Sequence, residues 1–289
     1  MNRDRTAYVT GSVVSKDGTV LGYRRLGDGP PVVLVHGSMM SSYNFMKLGT
    51  ALARDFTVYL PDRRGRGLSG PYGPAFTLQR AAEDVQALMD AAHARRVFAL
   101  SAGANAVLQW ALTAPEECKI ALYEPPLPVG GSRLAAWLPR YDSEMHHNRP
   151  GAAMVTVAKG TKDSRLLQVL PRPVAVPLMD FAMRAQARQA HTDEVPLIDL
   201  IATMHHDAQL VLGAEGLIAA STAVRADVLL LGGGRSPRYL KDALDALHAA
   251  IPRSRTTRLR GVGHLAADNG GQPGRVARAL RGYFSDPPP

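Results

Sequence analysis

Short apolar runs ending in small or turn-forming residues, each followed by a stretch with helical spacing, recur along the first half of this chain and constrain its fold most. The run PPVVLVHG at 30–37 is apolar on every residue up to His36. A strand covered on both faces of a parallel sheet reads this way. FTVYLPD (56–62), RVFALS (96–101) and KIALYEPP (119–126) repeat the pattern. Residues 43–54, 77–94 and 103–114 carry helical spacing between them, with Thr77 placed to cap the second. Upstream, β-rich stretches at 7–15 and 19–26 flank Lys16-Asp17-Gly18, a hairpin turn signal. Strand, helix, strand in this rhythm predicts βαβ units and a mainly parallel sheet.

The rhythm stops between 127 and 222, where prolines recur at 128, 139, 150, 171, 173, 177 and 196 and the remaining segments are helix-like. It resumes with ADVLLLGGG (226–234), a helix at 237–250, the strand RTTRLRGVGH (255–264) and a helix at 274–284; the tail 285–289 is expected to fray. The expectation is therefore an α/β core formed by 1–126 and 223–289, with a helical cap inserted at 127–222.

Composition excludes several classes. With 46% hydrophobic and 20% charged residues, disorder, collagen-like repeats and coiled coils are ruled out. No apolar run is long enough to cross a membrane, and the charged N-terminus lacks a signal-peptide stretch, so a cytoplasmic protein without membrane partners is expected. One cysteine, Cys118, cannot make an internal disulfide or a zinc cluster. The formal charge of +9 raises nucleic acid as a partner, but the basic residues are scattered through every segment, so none is expected.

The chemistry concentrates at Phe98-Ala99-Leu100-Ser101-Ala102-Gly103-Ala104. A strand turning sharply into a helix strains the residue at its apex and needs small neighbours, which leaves the Ser101 hydroxyl exposed. The N-terminus of the following helix points at that hydroxyl, so the Ala102 amide can donate to an oxyanion formed there.

This elbow resembles that of the α/β-hydrolase family, with Ala99 where the G-x-S-x-G pattern has glycine. Further landmarks occur in the family's order: His36-Gly37-Ser38 after the third strand, Asp62-Arg63-Arg64-Gly65-Arg66-Gly67-Leu68-Ser69 after the fourth, Tyr123-Glu124-Pro125-Pro126 after the sixth, and Gly263-His264 after the eighth. The resemblance covers nearly the whole chain and is weakest across the cap. It implies an eight-stranded, mostly parallel sheet with helices on both faces. It further implies Ser101 as nucleophile, His264 as general base, and the amides of Ala102 and Ser38 as oxyanion donors. His36, Asp62 and Arg64 are expected to be structural.

The family's usual acid follows the seventh strand, yet no Asp or Glu lies between Asp227 and Asp242. Glu124, where some relatives keep their acid, is a candidate to orient His264, or else shapes the turn into the cap; Asp207 and Asp268 are further candidates. Met39 and the cap residues His205 and His206 are expected to line the substrate pocket. The pairs His146-His147 and His205-His206 lack a third ligand, so no metal is expected, and the glycines at 232–234 lack a dinucleotide fingerprint, so no cofactor is. The expected function is a serine hydrolase cleaving a small or medium apolar ester, lactone or thioester through an acyl-enzyme, acting as monomer or homodimer on a small-molecule substrate. Two alternatives stand beside it: a lyase, cyclase or acyltransferase of specialised metabolism, and a degenerate ligand-binding member of the fold.

Overall fold

The computed structural model describes residues 8–131, 134–162 and 165–285. Eight strands form one sheet: β1 (Val9–Val14), β2 (Val20–Leu26), β3 (Pro31–Val35), β4 (Thr57–Pro61), β5 (Arg96–Leu100), β6 (Lys119–Tyr123), β7 (Asp227–Gly233) and β8 (Ser254–Leu259). Their spatial order is β1-β2-β4-β3-β5-β6-β7-β8, with β2 antiparallel to both its neighbours and every pair from β4 to β8 parallel. Gly18, at φ +87°, turns the β1–β2 hairpin at the anticipated Lys16-Asp17-Gly18. The chain leaves β3 toward β4 on one side, while β5 lies on the other. Loops at such a reversal diverge and open a crevice at the carboxyl ends of β3 and β5.

Side-chain alternation along the strands divides the core in two. Val33, Val35, Val97, Ala99, Ile120, Leu122, Val228 and Leu230 face α2 (Leu78–Ala91), α3 (Ala102–Ala111) and α11 (Arg238–Ala250). Val32, Leu34, Phe98, Leu100, Ala121, Tyr123, Leu229 and Leu231 face α1 (Met46–Leu52) and α12 (Pro273–Ser285). Thr77 caps α2, its hydroxyl accepting from the Arg80 amide at 3.2 Å, and the apolar positions from Leu78 to Met89 of that helix turn inward.

Between β6 and β7 the described regular elements are all helical: α4 (Leu138–His146), α5 (Pro150–Thr161), α6 (Arg165–Val169), α7 (Arg172–Gln189), α8 (Leu197–Leu200), α9 (Met204–Leu212) and α10 (Leu217–Ala220). This segment has its own apolar cluster of Tyr141, Ala153, Val157, Met183, Ile201 and Met204.

Several boundaries differ from expectation. β8 stops at Leu259 instead of continuing to 264, because Gly261 adopts φ +73° and turns the chain out of the sheet, so His264 sits on a loop. β6 stops at Tyr123 because Glu124 takes φ +48°. The helix expected at 43–54 is a 3-10 turn at Ser42–Phe45 followed by α1. Beyond Ser285, the tail expected to fray lies outside the described residues.

Candidate active site

Ser101 sits between β5 and α3 at φ 54°, ψ −128°, a conformation that disfavours any side chain. Its amide donates to the Tyr123 carbonyl at 2.9 Å, tying the elbow to the end of β6. The neighbours are small because the space is taken. A Cβ on Gly103 would collide with the His36 carbonyl, and one on Gly37 would lie 3.2 Å from Ser101 Cβ. Ala99 is fully buried, so the single methyl that departs from the family pattern is accommodated in the core.

His264 reaches the same edge. Its Nδ1 lies 2.7 Å from Glu124 Oε2, and Glu124 Oε1 accepts from the Gly233 amide at 2.6 Å. The Tyr123 hydroxyl donates to the Gly263 carbonyl at 2.8 Å, holding the loop one residue before His264. Adjacent residues of one strand end, Tyr123 and Glu124, thus bind both the elbow and the histidine loop. With the proton on Nδ1, as a carboxylate partner demands, Nε2 carries the ring lone pair. Glu124 is wholly buried.

The glycines ending β7 explain how a glutamate from the end of β6 reaches His264. A Cβ on Gly232 would lie 2.6 Å from Leu244 Cδ1 and 3.2 Å from Glu124 Oε1. One on Gly233 would lie 2.6 Å from the Val262 carbonyl and 2.9 Å from that of Gly263. Side chains here would displace both Glu124 and the loop bearing His264. The other two acid candidates are occupied elsewhere: Asp268 accepts from Asn44 Nδ2 at 2.8 Å and from the Gly270 amide at 2.7 Å, and Asp207 is held by arginines.

The loop after β3 packs against the elbow. Among the described residues neither the Ser38 nor the Ala102 amide donates to a protein acceptor. His36 is fully buried, with Nδ1 2.9 Å from the Gly37 carbonyl and Nε2 accepting from the Arg63 amide at 3.1 Å. Burial above all, helped by the nearby Arg66 and Arg63 charges, pushes its pKa well below the imidazole range, so it is a neutral brace. Asp62 accepts from the Ser42 and Leu68 amides at 2.6 and 2.9 Å, while Arg64 grips Asp84 at 2.7 and 2.5 Å. These are structural contacts of the kind expected of this turn.

Met39, also in the left-handed region at φ 50°, packs against the apolar cluster of the helical segment. His205 and His206 have partners of their own. His205 Nδ1 lies 2.8 Å from Asp142 Oδ1. His206 stacks on Tyr72 with centroids 3.7 Å apart and planes 4° from parallel, and its pKa is lowered, chiefly by burial. Sequence reasoning left Arg63 and Arg66 without a role. Both are bonded to Asp207, and nothing local marks a pairing across 144 and 141 positions. Among the described residues no three acidic, histidine or cysteine side chains gather in a metal-binding group, and no helix is long and apolar enough to cross a membrane. A groove of about 790 Å³ between β1, α2 and α3, lined by Val13, Gln79, Gln86 and Trp110, contains none of the groups at this edge.

The fold agrees with comparison to known proteins. Residues 30–270 match the model of the alpha/beta hydrolase fold family, and the chain belongs to that family. An alpha/beta hydrolase from Sphaerobacter thermophilus superposes with a TM-score of 0.72 at 27% identity, covering 95% of this chain and all of that one. The enol-lactonase of Burkholderia xenovorans superposes at 0.68 with 18% identity, over 96% of this chain and all of that one. Among curated proteins, the cis-3-alkyl-4-alkyloxetan-2-one decarboxylase of Shewanella oneidensis is 33% identical over 90 residues, which are 30% of this chain and 28% of that protein. The match thus spans under a third of that relative's length.

Proposed function

We propose that this protein is a serine hydrolase of small or medium apolar esters, lactones or thioesters, with Ser101, His264 and Glu124 as its triad. The observation that carries this reading is the 2.7 Å contact between His264 Nδ1 and the buried Glu124, on the same sheet edge as the strained Ser101. In the proposed reaction His264 Nε2 takes the Ser101 proton as Oγ attacks the acyl carbon. The amides of Ser38 and Ala102 hold the oxyanion, and the imidazolium, stabilised by Glu124, returns the proton to the departing alkoxide or thiolate. Water, activated by the same imidazole, then releases the acid and regenerates the serine. No cofactor enters these steps. The helical segment 127–222 acts as a cap whose methionine-rich cluster, including Met39, suits an apolar acyl chain. In this reading His205 and His206, on α9 of the same segment, line the substrate pocket.

The test is turnover of p-nitrophenyl esters of short and medium acids, with labelling by a fluorophosphonate. The wild type is expected to be active and labelled at Ser101, and Ser101→Ala neither; equal background rates in the two overturn the proposal.

A second reading has its own support in the Shewanella relative, whose name describes decarboxylation of an oxetan-2-one, a four-membered lactone. In that reading the site opens a β-lactone without a hydrolysed acyl-enzyme. Incubation with a cis-3,4-dialkyl β-lactone separates the two: a β-hydroxy acid marks hydrolysis, whereas carbon dioxide with an alkene marks the lyase.

A further inference from the structure

Asp207 belongs to α9 of the helical segment, yet its wholly buried carboxylate serves the core. Oδ1 accepts from Arg63 Nη2 at 2.6 Å and from Arg66 Nη2 at 3.1 Å, and Oδ2 accepts from Arg66 Nη1 and from the Met39 amide, each at 3.3 Å. Each arginine continues to the loop after β3. Arg63 Nη1 donates to the Gly37 carbonyl at 3.2 Å and the Arg63 amide to His36 Nε2 at 3.1 Å, while Arg66 Nη1 donates to the Met40 carbonyl at 3.3 Å. His36, Gly37, Met39 and Met40 are therefore all bonded to this group. Ser38, in their midst, keeps an amide that no described residue accepts. Met39 is held at φ 50°, a conformation that persists in a non-glycine residue only where its surroundings over-determine it.

We propose that Asp207 is a positioning residue: through Arg63, Arg66 and the Met39 amide it locks the loop 36–40 so that the Ser38 amide points at the oxyanion, making the oxyanion site depend on seating of the helical segment. The proposal rests on the serine hydrolase reading above. A carboxylate drawn from outside the core ties the segment covering the site to the donor inside it. Displacement of α9 would release Met39 first, because that amide has no other holder in the loop. The donor is thus ordered only when the segment is down over the crevice.

The test compares wild type with Asp207→Asn, which keeps the shape and removes the charge. Expected are a kcat lowered at least about tenfold with KM within about threefold, because one oxyanion donor is worth about 10²–10³ in rate when lost outright. Affinity for a trifluoromethyl ketone, which forms an oxyanion on Ser101, should fall in parallel, while affinity for the matching methyl ketone, which binds unreacted, should hold. Wild-type kcat and trifluoromethyl ketone affinity, or an equal loss for both ketones, overturns the proposal. Should Asp207→Asn fail to fold, Arg63→Lys is read instead. Its ammonium keeps the charge beside Asp207 but cannot span to the Gly37 carbonyl as well, so the same split is expected in smaller measure, and wild-type values overturn the proposal. If the wild type neither turns over esters nor is labelled at Ser101, the hydrolase reading falls by itself. The positioning role is then decided by hydrogen exchange at the Met39 amide: at least tenfold faster exchange in the variant supports it, and an unchanged rate overturns it.

Discussion

Met39, Ser101 and Glu124 are three of the six described non-glycine residues with positive φ, and all three lie at the crevice. Such backbone costs on the order of 1–3 kcal/mol per residue and survives where surrounding contacts fix it. Here each has its fixture: the Met39 amide on Asp207, the Ser101 amide on the Tyr123 carbonyl, and the Glu124 amide on the Leu231 carbonyl at 3.1 Å. For Glu124 the bend aims a buried carboxylate across β7 at His264. Glu124→Gln keeps the size and the bond from the Gly233 amide but can present its own N–H₂ to the imidazole, favouring the wrong tautomer. It is expected to lower kcat on the order of 10³–10⁴-fold with KM little changed. Glu124→Asp, one methylene short, should retain more activity than Glu124→Gln. Steady-state kinetics on a p-nitrophenyl ester check both, and a glutamine variant within tenfold of wild type would remove Glu124 from the proposed triad.

At the scale of the elements, the close of β7 leaves the space through which Glu124 reaches His264. Gly233→Ala puts a methyl 2.6 Å from the Val262 carbonyl, so the loop carrying Gly263 and His264 must move. Loss of most activity and a lowered melting temperature are expected. Gly234→Ala, whose Cβ meets nothing nearer than 3.5 Å, should leave both unchanged and is the control for the shared extra methyl. Calorimetry and ester turnover on the two variants separate a steric cause from a generic one. The same strand marks how far sequence reading reaches. The rhythm of buried strands and helices was legible because the central parallel strands β3, β5, β6 and β7 are covered on both faces, and the Thr77 cap because the signal is local. Ser101 and His264 stood out through order along the chain, and Glu124 as one of three carboxylates. That Glu124 reaches His264 depends on β7: Gly232 and Gly233 open its path, a fact about neighbours more than a hundred positions away. The end of β8 was misplaced for a related reason, since RTTRLRGVGH keeps a strand-like composition past the point where Gly261 turns. The Asp207 contacts with Arg63 and Arg66 leave no periodic trace at all.

Across the whole molecule, that ionic group also sets how acid reaches the fold. Burial opposes ionisation of Asp207, but Arg63 and Arg66 outweigh it and bring its pKa from 3.8 to about 2. Asp17 is driven below the usual carboxylate range by its bond to Arg64, which with the Thr19 hydrogen bonds outweighs the opposing effect of burial. A carboxylate whose folded pKa lies below its unfolded one stabilises the native state fully above the unfolded value, and loses that contribution as pH falls toward the folded one. For Asp207 the window runs from about pH 4 to about pH 2, and its share is about 2 kcal/mol. His36 adds a higher window of the same sign: buried and neutral, it takes up a proton on unfolding, so stability declines as pH falls below about 6.5. Two descents are therefore expected in urea-unfolding free energy measured from pH 7 to pH 2. His36→Asn should flatten the upper one and Asp207→Asn the lower, each on a protein less stable at neutral pH. The lower descent should also coincide with loss of any ester turnover that survives to that pH, because protonating Asp207 frees the Met39 amide before the sheet itself opens. A lower descent of equal depth in wild type and Asp207→Asn would mean that the arginines do not hold that carboxylate ionised, and the coupling between the helical segment and the loop after β3 would lose its electrostatic basis.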